Sequence, residues 1–199
     1  MMRSRLAGLT LGFLMFAPGA ALAHPGHGDI AGFSHGFAHP FSGFDHILAM
    51  MTVGLFAWQL GGRALWLVPG AFVTLMAAGG AAGMAGFTVP LPELGIAMSV
   101  VTLGAIVALG VKTPVTAAMA LVGLFAIFHG YAHGAEMPFG AATAEYAGGF
   151  LLATALLHVA GIALGFVAGR ISEAYGAIGY RVSGALVSLT GLILVLQAM

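Results

Sequence analysis

The chain has 199 residues, of which 60% are hydrophobic and 6% are charged, and its Lys and Arg residues equal its Asp and Glu residues in number. So few charges exclude an ordinary soluble domain, and the lack of a basic excess excludes a nucleic-acid-binding protein. The absence of cysteine excludes disulfides, thiolate metal sites and cysteine nucleophiles.

Residues 1–23 are predicted to be an N-terminal signal peptide. Arg3 and Arg5 form a charged start, the apolar run LAGLTLGFLMF follows, and ALA at residues 21–23 fits the small-x-small pattern of a cleavage site. Cleavage would place His24 at the mature N-terminus, outside a bacterial-type inner membrane. The alternative is an uncleaved first span, although the apolar stretch is short for crossing a bilayer.

Residues 24–43 are predicted to be a histidine-rich periplasmic segment. His24 and His27 stand in the sequence HPGH, whose proline removes the backbone amide that a tight N-terminal chelate would use. The two histidines are therefore predicted to form a loose site that collects metal ions.

Six apolar segments in residues 44–199, separated by proline, glycine or charge, are predicted to be membrane-spanning helices. The fold class is accordingly an all-α integral membrane protein, a six-transmembrane-helix bundle once the signal peptide is removed. The predicted spans are Phe44–Gly61, Ala64–Phe87, Glu93–Gly110, Pro114–Gly134, Glu145–Gly169 and Ala177–Ala198.

The positive charges support one orientation of these spans. With the mature N-terminus outside, every Lys and Arg after the signal peptide falls in a cytoplasmic connection, as the positive-inside rule expects. These residues are Arg63, Lys112, Arg170 and Arg181.

Many of the 32 glycines lie within the predicted spans, for example Gly161, Gly165 and Gly169 at four-residue spacing. In lipid, small residues allow helix backbones to approach closely, and this approach drives helix association. The glycines are therefore predicted to serve packing.

The sequence HGYAH at residues 129–133 is predicted to contribute to a cation site. His129 and His133 are four residues apart and share a helix face, and Glu136 extends that stripe if the helix continues past Gly134. Imidazole and carboxylate suit Ni, Co, Zn, Cu(II) or Fe(II). The alternative is a pair of interfacial histidines hydrogen-bonded to backbone.

A second cluster lies in HPFSGFDH at residues 39–46. His39, Asp45 and His46 surround a predicted helix start, where Asp45 either ligates an ion, orients an imidazole or only caps the helix. Glu93, which begins the third predicted span from the outside, is a further candidate ligand. All of these residues lie toward the outer face.

The sequence HGFAH at residues 35–39 resembles HGYAH at residues 129–133. His35 is therefore a weaker candidate ligand. An internal duplication that brings two half-sites together and a chance match both stay open.

His158 is predicted to lie near the middle of the membrane in the fifth span. An ionisable group there is costly and functional by default. Two interpretations are open: a neutral histidine hydrogen-bonded to Thr154 or a carbonyl, and a ligand for an ion in transit.

The stretches HPFSGFDH (residues 39–46) and FHGYAHGAE (residues 128–136) resemble the two signature motifs of the HupE/UreJ family of nickel and cobalt permeases. The resemblance implies uptake of Ni(II), with Co(II) as an alternative ion, across the bacterial inner membrane to supply enzymes such as hydrogenase or urease. It implies no enzymatic activity and no permanently bound cofactor. The implied partners are a divalent metal ion and membrane lipid, and homo-oligomerisation is left open. The implied metal-binding residues are His39, Asp45, His46, His129, His133 and Glu136.

Two other classes of function compete with this interpretation. An intramembrane metal-dependent hydrolase would use histidines four apart, although HGYAH lacks the glutamate of the H-E-x-x-H motif. A bis-histidine haem protein would need opposed histidines at one depth of the bundle.

Overall fold

The computed structural model describes residues 32–137, 140, 142–171 and 173–199. The predicted signal peptide and the predicted collecting site at His24 and His27 lie outside the described residues. In the described part of the chain all regular structure is helical.

In the described ranges seven α-helices and one 3₁₀ turn follow one another. A short helix and the 3₁₀ turn precede six long helices, and each long helix corresponds to one predicted span. The elements are α1 (Gly32–Ala38), the 3₁₀ turn (His39–Phe41), α2 (Phe44–Leu60), α3 (Ala64–Met84), α4 (Pro92–Leu109), α5 (Val115–Glu136), α6 (Thr143–Ile171) and α7 (Glu173–Ala198).

Five helices, α3 to α7, contain stretches that are long and apolar enough to cross a membrane by themselves. Helix α2 has 17 residues and passes the same test only together with Gly32–Phe41, to which it is bent by 80°. At 1.5 Å per residue α2 is about 25 Å long, slightly less than a typical hydrocarbon core. The described chain therefore has the helices of a multi-pass membrane protein, five or six in number.

The helix ends follow the sequence signals that predicted them. Helix α4 begins at Pro92, whose missing N–H is not needed in a first turn, and is preceded by Leu91 in the left-handed conformation (φ 52°). It ends at Leu109 and is capped by Gly110, whose φ of 65° is a left-handed conformation that glycine adopts without strain.

Glycine places helix backbones in direct contact, as the sequence predicts. A Cβ atom on Gly130 of α5 would collide with the carbonyl of Met76 in α3, and one on Gly54 of α2 would collide with the carbonyl of His158 in α6. Helices α4 and α7 meet in the same way at Gly104. Close backbone contact of this kind holds helices together in lipid.

The two ends of the bundle differ in composition. At one end Gln59 donates a hydrogen bond to the carbonyl of Val111 (2.9 Å), and the ring of Trp58 contacts Tyr180. Of the four predicted cytoplasmic cations, Arg63 and Lys112 lie in connections at this end, and Arg170 lies near the end of α6. Arg181 does not lie in a connection as predicted but within α7, with its guanidinium beside Gly110. The histidine motifs lie at the opposite end, which we call the histidine end.

Candidate metal-ion site

The bend between α1 and α2 positions the first motif. Helix α1 packs on α6, where a Cβ atom on Gly36 would collide with the carbonyl of Tyr146. The chain then turns by 80° into α2. Gly43 is the N-cap of α2 with extended dihedrals, and a Cβ atom there would lie 2.8 Å from a carboxylate oxygen of Asp45. Gly43 therefore leaves room for this carboxylate beside the turn.

Histidines from both motifs meet at this bend. The Nε2 atom of His39 lies within hydrogen-bonding distance of Nδ1 of His133 (3.1 Å). The ring centroid of His46 lies 4.6 Å from that of His133 and 4.9 Å from that of His129. Four imidazoles contributed by the 3₁₀ turn, α2 and α5 thus form one continuous group, which we call the histidine cluster (His39, His46, His129 and His133).

A cavity of about 380 Å³ opens beside the cluster at the histidine end. Its wall combines three cluster imidazoles with three carboxylates from three different helices. The polar residues lining it are His39, Ser42, Asp45, His46, Glu93, His133 and Glu136. A smaller cavity of about 190 Å³ shares Asp45 and Glu93 and extends toward Gln197 near the end of α7.

A hydrogen bond to the backbone determines which nitrogen of His129 can bind a cation. Its Nδ1 lies 3.0 Å from the carbonyl of Phe125, so Nδ1 carries the proton and donates it. In the neutral ring Nε2 then keeps its lone pair. This atom is buried and has no hydrogen-bond partner among the described residues, and the same holds for Nε2 of His46 and of His133.

Buried polar atoms without partners are costly and uncommon in folded proteins. Three such nitrogens in adjoining rings are a ligand set that an arriving cation would satisfy, because neutral imidazole with carboxylate suits borderline divalent metals. No group of three or more His, Asp or Glu side chains is already arranged to hold a metal ion in the part of the chain that the structure describes. The donor chemistry fits a borderline divalent cation, and coordination would require these rings to reorient.

Comparison with known proteins identifies relatives of this chain. The sequence profile of the HupE / UreJ protein family matches residues 12–194. The chain belongs to the HupE/UreJ family. It is 47% identical over 175 residues to Protein HupE of Rhizobium leguminosarum bv. viciae, which covers 87% of this chain and 89% of that protein. No solved structure matches the chain.

The HupE/UreJ family is associated with nickel and cobalt uptake for hydrogenase and urease. The family resemblance drawn from the two motifs is thereby confirmed, and the intramembrane hydrolase receives no support. Membership also agrees with the apolar helices in identifying a multi-pass membrane protein.

In this HupE/UreJ chain some of the predicted ligand residues line the cavity and others do not. Helix α5 continues past Gly134 to Glu136, so Glu136 reaches the cavity as the stripe predicts. Asp45 is not the helix cap, because Gly43 occupies the N-cap position and Asp45 lies in the first turn. His35 is exposed on α1 and does not line the cavity, although it begins one copy of the repeat.

The two copies of the repeat adopt different backbones. HGFAH ends a seven-residue helix and enters a 3₁₀ turn, whereas HGYAH lies inside the 22-residue α5. They nevertheless share two features. The glycine of each, Gly36 and Gly130, abuts the backbone of another helix, and the last histidines, His39 and His133, meet.

His158 lies below the cluster and is 1% exposed. Neither of its nitrogens nor the hydroxyl of Thr154 has a hydrogen-bond partner among the described residues. The interpretation of His158 as a histidine bonded to Thr154 or to a carbonyl is therefore wrong for the described structure.

Aromatic residues that were not predicted from the sequence enclose the cluster. The ring of Phe150 lies 4.8 Å from that of His133 and 5.6 Å from that of His46, and the ring of Tyr146 lies 5.9 Å from that of His39. Below the cluster, Phe72 contacts His129 (5.6 Å). Phenylalanine is common in apolar spans, so no sequence signal distinguishes these positions.

Proposed function

We propose that this HupE/UreJ protein takes up Ni(II), with Co(II) as a second substrate, across the bacterial inner membrane to supply metalloenzymes such as hydrogenase or urease. One observation carries the proposal: both motifs contribute imidazoles to a single cluster, whose Nε2 atoms at His46, His129 and His133 are buried and have no hydrogen-bond partner within the described part of the chain. The protein acts as a permease and not as an enzyme, with no permanently bound cofactor.

Capture begins at the carboxylates of the cavity. Asp45, Glu93 and Glu136 line it, and negative charge in a concave, low-dielectric wall concentrates divalent cations there. The ion then exchanges water for imidazole nitrogen as it moves from this wall to the cluster. The proposed ligands are His39, Asp45, His46, His129, His133 and Glu136, with Glu93 as an auxiliary group.

The proposed route continues inward to His158. Its two nitrogens, which lack partners among the described residues, and the hydroxyl of Thr154 four residues earlier in α6 offer a weak site that an ion can leave again, as conduction requires. An interior-negative potential favours inward movement of a divalent ion by about 4.6 kcal/mol per 100 mV, twice the value for a single charge. Uptake therefore needs no ATP-driven component in this chain.

The proposed orientation has the histidine end in the periplasm and the cationic end in the cytoplasm, in line with the positive-inside rule. On this proposal residues 1–23 are a cleaved signal peptide and residues 24–43 are periplasmic. His24 and His27 collect metal ions, and their removal should matter only when metal is scarce.

The test is metal uptake by cells that express the protein, with and without an uncoupler. Nickel and cobalt are compared with zinc and manganese, because affinity alone leaves most nitrogen and oxygen sites unselective. Uptake of nickel or cobalt that the His46→Ala variant loses at equal membrane abundance would support the proposal. Wild-type uptake no greater than that of cells lacking the protein would overturn it.

A further inference from the structure

Below the histidine cluster one phenyl ring contacts both the cluster and the inner histidine. The ring of Phe72 in α3 lies 5.6 Å from that of His129 in α5 and 5.1 Å from that of His158 in α6, and it meets both near edge to face. Among the described residues no ring contact joins His129 directly to His158. The ring contacts that link the cluster to His158 therefore run through Phe72.

The cavity at the histidine end stops above this ring. His46 and His133 line it, whereas His129, Phe72 and His158 do not. Phe72 and His129 are 0% exposed and His158 is 1% exposed, so water has no access to the inner histidine in this conformation. Val68 and Met76, one turn before and after Phe72, are equally buried and continue the apolar seal along α3.

Unsatisfied polar atoms belong to both histidines that the phenyl ring contacts. Nε2 of His129 and both nitrogens of His158 lack hydrogen-bond partners, as far as the described residues extend. Unsatisfied donors and acceptors around a buried apolar ring destabilise a static core, since each buried polar atom without a hydrogen bond costs free energy. It is an effective barrier for a cation, because an apolar constriction repels hydrated ions until it opens.

We propose that Phe72 is the gate that controls passage from the histidine cluster to His158, and that the structure shows it closed. Opening requires the phenyl ring to swing away from its contacts with His129 and His158. The nature of the ion rests on the proposed function, whereas the barrier itself follows from ring contacts and burial alone.

The natural absence of cysteine allows a direct test, because a single introduced thiol reports access to its position. The test uses the otherwise wild-type full chain with His158→Cys in membranes and exposes it to silver ion, a small thiol-reactive cation. The fraction modified is read as loss of maleimide labelling after denaturation. Phe72→Leu is then combined with His158→Cys. Silver should reach residue 158 only in the open state, and minor states of this kind are commonly populated at about 0.1–10%. If the shorter leucine side chain leaves the gate permanently open, the modification rate should therefore rise at least about tenfold.

Two controls separate gating from general loosening of the bundle. Ser42→Cys lies on the cavity wall and should react rapidly with or without Phe72→Leu. Phe56→Leu removes the same atoms from another fully buried phenylalanine, in α2, and should leave the rate at His158→Cys unchanged.

If Phe72→Leu fails to reach the membrane, Phe72→Met replaces it, because methionine fills the space with a flexible chain.

Rapid modification of His158→Cys with Phe72 intact would overturn the gate. So would a rate that Phe72→Leu leaves unchanged, or one that Phe56→Leu raises equally. The labelling comparison requires no metal transport. Failure of the wild-type protein to take up nickel would therefore count against the proposed function alone.

Discussion

The Nε2 atom of His39 lies 3.1 Å from Nδ1 of His133, although 94 residues separate the two in the chain. In this hydrogen bond one ring donates an N–H group and the other accepts with its nitrogen lone pair. If Nδ1 of His133 donates, Nε2 of His133 keeps a lone pair, as Nε2 of His129 does. The contact joins the turn before α2 to the end of α5, so the two motifs form one site and a change in either should disturb the other.

Replacement of either central imidazole should weaken metal binding. We expect His46→Ala and His133→Ala to lower nickel affinity of the purified protein at least about tenfold, since loss even of groups that support ligands commonly costs 10–100-fold. Titration calorimetry measures the affinity. His35→Ala is the matched control, because His35 is exposed and lies off the cavity. Equal affinities in all three variants would contradict the proposed ligands.

The carboxylates of the cavity should act at long range as well as by contact. Asp45→Asn and Glu136→Gln are expected to lower the apparent affinity for nickel during uptake and to reduce its dependence on ionic strength, because salt screens the attraction that the variants lack. Glu145→Gln removes a carboxylate that does not line the cavity and serves as the control. An unchanged salt dependence in the two cavity variants would argue against electrostatic capture.

Substitution of His158 should affect rate more than affinity. Because this ring lies beneath the cluster, His158→Ala is expected to lower the maximal rate of nickel uptake while the apparent affinity changes little. His158→Gln keeps hydrogen-bonding capacity but lacks imidazole, so it should remain slow if an ion contacts the ring. Uptake assays at saturating metal and matched abundance measure both. A wild-type rate in His158→Gln would identify a packing residue instead.

The close contact between α3 and α5 should be sensitive to a single methyl group. Gly130→Ala would press a Cβ atom against the carbonyl of Met76, and overpacking of this kind costs about 1–3 kcal/mol. Gly148 of α6 has open space around its Cβ direction, so Gly148→Ala should be neutral or stabilise the helix by up to about 1 kcal/mol. Thermal unfolding in detergent compares them. Equal midpoints would contradict the packing described for Gly130.

The orientation of the bundle can be tested with the same cysteine-free background. We expect a membrane-impermeant maleimide, added from the periplasmic side, to label Ser42→Cys and not Lys112→Cys, because the two positions lie at opposite ends of the bundle and both are exposed. Lys112→Cys should become reactive once the membrane is permeabilised. The reverse pattern would invert the proposed direction of transport.

Much of this architecture follows from the sequence by itself. Each of the six long helices corresponds to a predicted apolar span, and ends such as Pro92 and Gly110 follow from the dihedral preferences of proline and glycine. Hydropathy and helix breaking are local properties, so a short stretch of sequence suffices to predict them. The two motifs likewise identify the family, because their residue types and spacing are distinctive.

Which histidines meet was decided only by the tertiary structure. His35 and His39 occupy equivalent ends of one pentapeptide, yet only His39 joins the cluster, because α1 docks on α6 through Gly36 and then bends. The contacts of Phe72 with His129 and His158 are likewise set by how the helices pack. Contacts between helices in lipid depend on where small residues allow backbones to approach, and a sequence with 32 glycines does not indicate which of them will face which helix.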